Sequence, residues 1–171
     1  KGNFDSSSLA FNQSIGIRIK ATNENDTSLA LTYNGLGTIS FFKGDYNGAL
    51  SYYLKAYNLA LKRKQPEDAD LAYFLQNTGI IYAQLGDFSQ AETALTSSLK
   101  INEKISPSDD PDLANRYLNM GRFMALINKD SESLSYYDKS EAILIKKVGA
   151  NHPDIGSLYQ NKGQTYIHMA D

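Results

Sequence analysis

Cysteine is absent from the sequence altogether, and histidine occurs only twice. The first absence excludes disulfides and thiol chemistry. His152 and His168 lie too far apart in the chain for a local metal motif such as H-x-x-x-H. No apolar run reaches the 18 or more residues that a membrane-spanning helix needs, and no signal-peptide pattern occurs in these residues. There is no Gly-x-Ser-x-Gly elbow and no phosphate-cradling glycine loop. A formal net charge of −2 gives no basic patch of the kind nucleic-acid binders carry. No group of titratable residues converges in the pattern, so the expectation is a non-catalytic chain with no cofactor and no metal. These absences do not fix the compartment, which stays unknown; a soluble, cytoplasmic location is slightly favoured.

What is present is a period. Gly37, Gly79, Gly121 and Gly163 are spaced by 42 residues. Four residues before each stand Tyr33, Leu75, Tyr117 and Tyr159; two before stand Gly35, Asn77, Asn119 and Asn161. Ala49, Ala91 and Ser133 follow at one fixed offset, Tyr53, Leu95 and Tyr137 at a second, and Ala56, Ser98 and Ser140 at a third. Gly2 falls in register with Gly44 and Gly86. Matched columns of this kind are the mark of a repeat architecture, each unit packing on its neighbours.

A large residue followed four places later by a small one occupies one face of a helix. Two nearly side-chain-free columns would let the helices of a pair approach closely. Glycine within a helix costs roughly 1 kcal/mol relative to alanine, so a repeated helical glycine implies a packing role. Asp26, Asp68, Asp110 and His152 form a column at the helix starts, followed by Thr27, Ala69, Pro111 and Pro153. Aspartate is a favoured N-cap, and proline suits the first helical position.

The chain therefore reads as one all-α array over residues 1–171. Residues 5–21 form the second helix of a truncated repeat, 27–64, 69–105 and 111–148 form three full helix pairs, and 153–169 form a terminal lone helix. The turns fall at Gly44-Asp45, at 65–67, at 106–110 and at 149–152. The unpaired first helix makes a fragment of a longer protein the expectation. Asp109, Asp110 and Asp112 read as carboxylates at a helix N-terminus, since their spacing is not that of a calcium loop. Lys62, Arg63 and Lys64 read as a helix end. Asn12-Gln13-Ser14 and Asn25-Asp26-Thr27 match a glycosylation tripeptide that is frequent by chance.

These residues resemble the tetratricopeptide repeat family. The signature is carried by Tyr33, Leu36, Gly37, Ala49, Tyr53 and Ala56, then by Leu75, Gly79, Tyr82, Ala91 and Leu95. A weaker copy runs through Tyr117, Met120, Gly121, Ser133 and Tyr137. That family's usual period is 34 residues. The longer spacing, with GANHPDIGSLYQNKG at the last joint, is similar to the kinesin light chain type of repeat. The resemblance implies a right-handed superhelical solenoid of antiparallel helix pairs with a concave groove. It implies a protein or peptide partner, without nucleic acid and without membrane insertion. A homo-oligomer is compatible with this reading but not indicated by it.

In the resembled family the asparagine position faces the groove, where carboxamides can both donate to and accept from an extended peptide backbone. The groove expected here comprises Asn34, Tyr73, Gln76, Asn77, Ile80, Asn119, Arg122, Gln160, Asn161 and Gln164. Tyr73, Ile80 and Arg122 would select side chains. A carboxylate clamp would need more cations than Arg122. Replacing Asn77 and Asn119 by alanine is expected to weaken binding and leave stability unchanged. The alternative reading is a regulatory or assembly segment of a larger bacterial signalling enzyme or sensor, its groove holding another domain or a second copy.

Overall fold

The computed structural model describes residues 2–21, 26–63, 68–150 and 152–170. Asn25, Lys64 and the 65–67 joint, singled out above, lie outside the described residues. Among the described residues the secondary structure is helical throughout. The elements are α1 (Gly2–Ala21), a 3₁₀ turn (Thr27–Leu29), α2 (Ala30–Phe42), α3 (Tyr46–Leu61), α4 (Ala69–Gln84) and α5 (Phe88–Ile105). They continue with α6 (Pro111–Leu126), α7 (Asp130–Val148) and α8 (Pro153–Ala170). Two compact units divide within α5, at Ala94 and Leu95.

The helix starts follow the phased cap column. Asp26 accepts a hydrogen bond from the Ser28 amide at 2.9 Å, Asp68 from Asp70 at 2.8 Å and Asp110 from Asp112 at 2.8 Å. His152 takes the same place for α8, its Nδ1 accepting from the Asp154 amide at 3.3 Å. Each cap satisfies one of the donors that a helix N-terminus leaves unpaired. The short turns need a left-handed residue. Gly44 and Gly86 supply it at φ +79° and +82°. Asn128 takes the equivalent place in the next repeat at φ +60°, as asparagine can do at modest cost.

In the first unit α2 packs on α3, α3 on α4, and α1 lies against α2. Gly37 lets the Tyr53 ring rest on the α2 backbone; a Cβ there would fall 2.6 Å from ring atoms. Tyr53 is buried, with Ala49 and Ile81 in the same core cluster. Arg63, two residues past the end of α3, reaches Asp70 at 2.7 Å, Asp68 at 3.2 Å and the Thr27 carbonyl at 3.2 Å. It thereby ties the starts of two first helices together.

The second unit repeats this construction 84 residues later. α6 packs on α7, and α7 on α8. A Cβ on Gly121 would meet the buried Tyr137 ring at 2.5 Å. Tyr33 and Tyr52 stack at 6.4 Å with the Lys55 ammonium over both rings. Tyr117 and Tyr136 stack at 6.3 Å with Lys139 over both. The Tyr117 hydroxyl donates to Glu103 at 2.9 Å, and burial together with that carboxylate raises its pKa to about 12. α8 is fastened to α7 by Lys162, which donates to Asp138 and Glu141 at 2.7 Å each. Tyr159 donates to the second oxygen of Glu141. A Cβ on Gly163 would meet nothing within 4 Å.

Candidate interaction wall on the first helices

The residues expected to bind a partner lie on α2, α4, α6 and α8, the first helices of their pairs. Their environments differ. Asn34 and Gln76 are interior, each 6% exposed. Asn34 accepts from the Asn77 carboxamide at 2.9 Å, a tie between α2 and α4. The expectation that Asn77 could be truncated without loss of stability is therefore corrected: the substitution would strip a buried acceptor of its donor. The side-chain amide oxygen of Gln76 has no hydrogen-bond partner within the described residues. Gly35 breaks the asparagine column for a steric reason. The Phe11 ring of α1 occupies that space, and a Cβ on Gly35 would come within 2.7 Å of it.

On the accessible side of the first unit, Asn77 and Ile80 are half-buried and Tyr73 is exposed. They line a pocket of about 200 Å³ with Thr38, Phe41, Phe42, Tyr53 and Ile81. The Thr38 hydroxyl is shared with the Asn34 carbonyl and the Tyr53 hydroxyl, at 3.1 and 3.2 Å. Burial pushes the Tyr53 phenol up, only partly offset by that hydrogen bond.

In the second unit Arg122, Asn161 and Gln164 come together in a pocket of about 260 Å³. Asp130 and His168 sit at the same site, paired Oδ2 to Nδ1 at 2.8 Å. Burial raises the Tyr137 phenol, whose ring also lines the pocket, and the nearby Arg122 charge opposes that rise. Arg122 borders another pocket as well, of about 360 Å³, shared with Asn115, Leu118 and Ser157. Asn119 is half-buried and donates to Asn115 at 3.2 Å, while Asn161 donates to the Ser157 carbonyl at 2.8 Å. Each carboxamide keeps a second N–H and a carbonyl oxygen. Gln160 is exposed and lines none of these pockets.

Sequence reasoning did not single out Phe41, Phe42, Asn115 or Asp130. Phe42 had a findable signal, since it follows Thr38 by four residues and so shares its helix face. The pairing of Asp130 with His168 joins residues 38 apart and carries no local sequence signature. No described helix is long and apolar enough to cross a membrane.

The tetratricopeptide repeat family profile matches residues 28–104. No curated protein matches the sequence. Among solved structures, BtubC (BKLC) from P. vanneervenii superposes with a TM-score of 0.87 at 20% identity, over 99% of this chain and 68% of its own. A Podosopora anserina protein described as a kinesin light chain, with nearly identical TPR-like repeats, gives 0.80 at 16% identity, over 96% of this chain and 78% of its own. The TPR2B domain of yeast Sti1, in complex with pHsp70, gives 0.58 at 18% identity over 79% and 96%. Residues 28–104 thus match the tetratricopeptide repeat family, and the chain has the helical-repeat fold of these solved structures.

Proposed function

We propose that the chain is a non-catalytic interaction scaffold that holds an extended peptide or protein segment against its first helices. Tetratricopeptide repeats generally mediate protein–protein interaction, and the Sti1 relative is a domain in complex with pHsp70. The observation that carries the reading is local. In both units the pocket between successive first helices combines a half-buried asparagine, Asn77 or Asn161, with side chains of distinct character. A carboxamide whose one N–H is engaged in the fold is held in a fixed orientation. Its carbonyl oxygen is left to accept from a peptide amide.

The test is selection of partner peptides from a random extended library, followed by affinity measurement on variants. Asn161→Ala and Arg122→Ala are expected to weaken a selected peptide by about tenfold each, the equivalent of roughly 1.4 kcal/mol. Helicity should be unchanged. Unaltered affinity in both would reject this wall as the binding surface.

A further inference from the structure

The pockets of the two units share six lining positions at an offset of 84 residues, and each adds others: Phe42 and Tyr73 in the first, Asn128, Asp130 and His168 in the second. An offset of 84 residues carries Thr38 to Arg122, Phe41 to Ala125 and Ile80 to Gln164. The same offset leaves the frame unchanged, with Tyr53 matched by Tyr137 and Asn77 by Asn161. The frame is retained, and the residues that would read a side chain are exchanged.

We infer that only the first of these pockets accepts an apolar side chain, and that it takes one side chain of leucine to phenylalanine size from a partner segment. This deepens the scaffold reading and rests on it. No charged residue lines the first pocket. Its side-chain polar groups are largely tied up: Thr38 and Tyr53 bond each other, and Asn77 gives one N–H to Asn34, keeping its carbonyl oxygen for the partner's backbone. The remaining lining is Phe41, Phe42, Tyr73, Ile80 and Ile81. Its volume of about 200 Å³ is of the order that holds one ring, an apolar cavity of roughly 150 Å³ being able to bind benzene. A charged occupant would lose hydration there with no partner to replace it.

The copy in the second unit refuses the same occupant for the complementary reason. An apolar side chain there would cover the Arg122 guanidinium and the Gln164 amide and supply no acceptor. An uncharged apolar occupant thus matches the first pocket in size and charge, and mismatches the second. The sequence period aligns the exchanged residues, and the structure adds which of them share a pocket.

Titration of the intact chain with N-acetyl-phenylalanine amide and N-acetyl-leucine amide, read by backbone amide shifts, tests the inference. Shifts are expected at Asn77 and Ile80 and not at Asn161 and Gln164, with N-acetyl-aspartate amide giving none at the first pocket. Ile80→Gln, at a half-buried position, should weaken the apolar probes there by about tenfold, as loss of most of an isoleucine's buried area implies. Arg122→Thr combined with Gln164→Ile should create new shifts around Asn161. Equal shifts in both wild-type pockets, or no shifts at the solubility limit of the probes, would overturn the inference. Selected peptides that still depend on Arg122 and Asn161 while being indifferent to Ile80→Gln would overturn the inference alone and leave the scaffold reading standing.

Discussion

Alanine substituted along one glycine column should change stability with opposite signs. Gly121 and Gly163 occupy the same place in successive repeats, yet a Cβ at Gly121 would sit 2.5 Å from the Tyr137 ring, while one at Gly163 would meet nothing within 4 Å. The helical propensity gain is about 1 kcal/mol at either site. At Gly121 it is opposed by overpacking, typically 1–3 kcal/mol. Tyr137 is only 1% exposed and the atoms met are ring carbons rather than the far end of a flexible side chain, so the upper part of that range applies. Gly121→Ala should therefore destabilise by about 1–2 kcal/mol net, lowering Tm by about 2–8 °C for a chain of this length. Gly163→Ala should stabilise α8 by up to about 1 kcal/mol. Thermal and urea unfolding by circular dichroism report the first, and amide exchange within α8 reports the second. A cycle with Tyr137→Leu should give a coupling of about 1 kcal/mol or more, because the smaller side chain relieves the collision. If Gly121→Ala proved as benign as Gly163→Ala, the close-approach explanation of the column would be wrong.

Further outcomes follow from other contacts. Lys162→Met strips two carboxylates of their donor and should cost about 1–3 kcal/mol, seen as lowered Tm and faster exchange in α8. The hydrogen bond from Lys162, then that from Tyr159, holds the Glu141 carboxyl below its ordinary value of 4.5. Its contribution is complete above that value and is lost as pH falls through the lower folded value. Glu141→Gln should flatten that acid limb of a pH–stability curve. Asn77→Ala should destabilise by about 1–3 kcal/mol, because buried Asn34 loses its donor, and unchanged urea unfolding would refute that tie. Asn128→Gly should raise Tm by a few degrees, since asparagine pays for the left-handed turn and glycine does not.

Much of this architecture was legible in the sequence because it is made of local rules repeated at one spacing. The cap column is read from residue type at Asp26, Asp68 and Asp110 and from register at His152, and all four cap a helix start. The glycine column predicted close packing, which Gly37 and Gly121 display against Tyr53 and Tyr137. The helix ends were less legible: residues 27–29 wind as a 3₁₀ turn, and α3 ends at Leu61. The wall was legible only in part. Gln76 and Asn77 are neighbours in sequence, and a rotation of about 100° between them separates an interior amide from an accessible one. The Asn34–Asn77 bond depends on which residues face each other across two helices, and a period cannot state that. Nor can it show that Phe11 is what forbids a side chain at residue 35.

The most direct measurement is the footprint of a selected peptide on the chain, mapped by photo-crosslinking from one introduced benzoylphenylalanine at a time. Crosslinks are predicted from residue positions 119 and 164 on the first helices, and not from 100 or 135 on the second helices α5 and α7. Crosslinks confined to 100 and 135 would contradict the account.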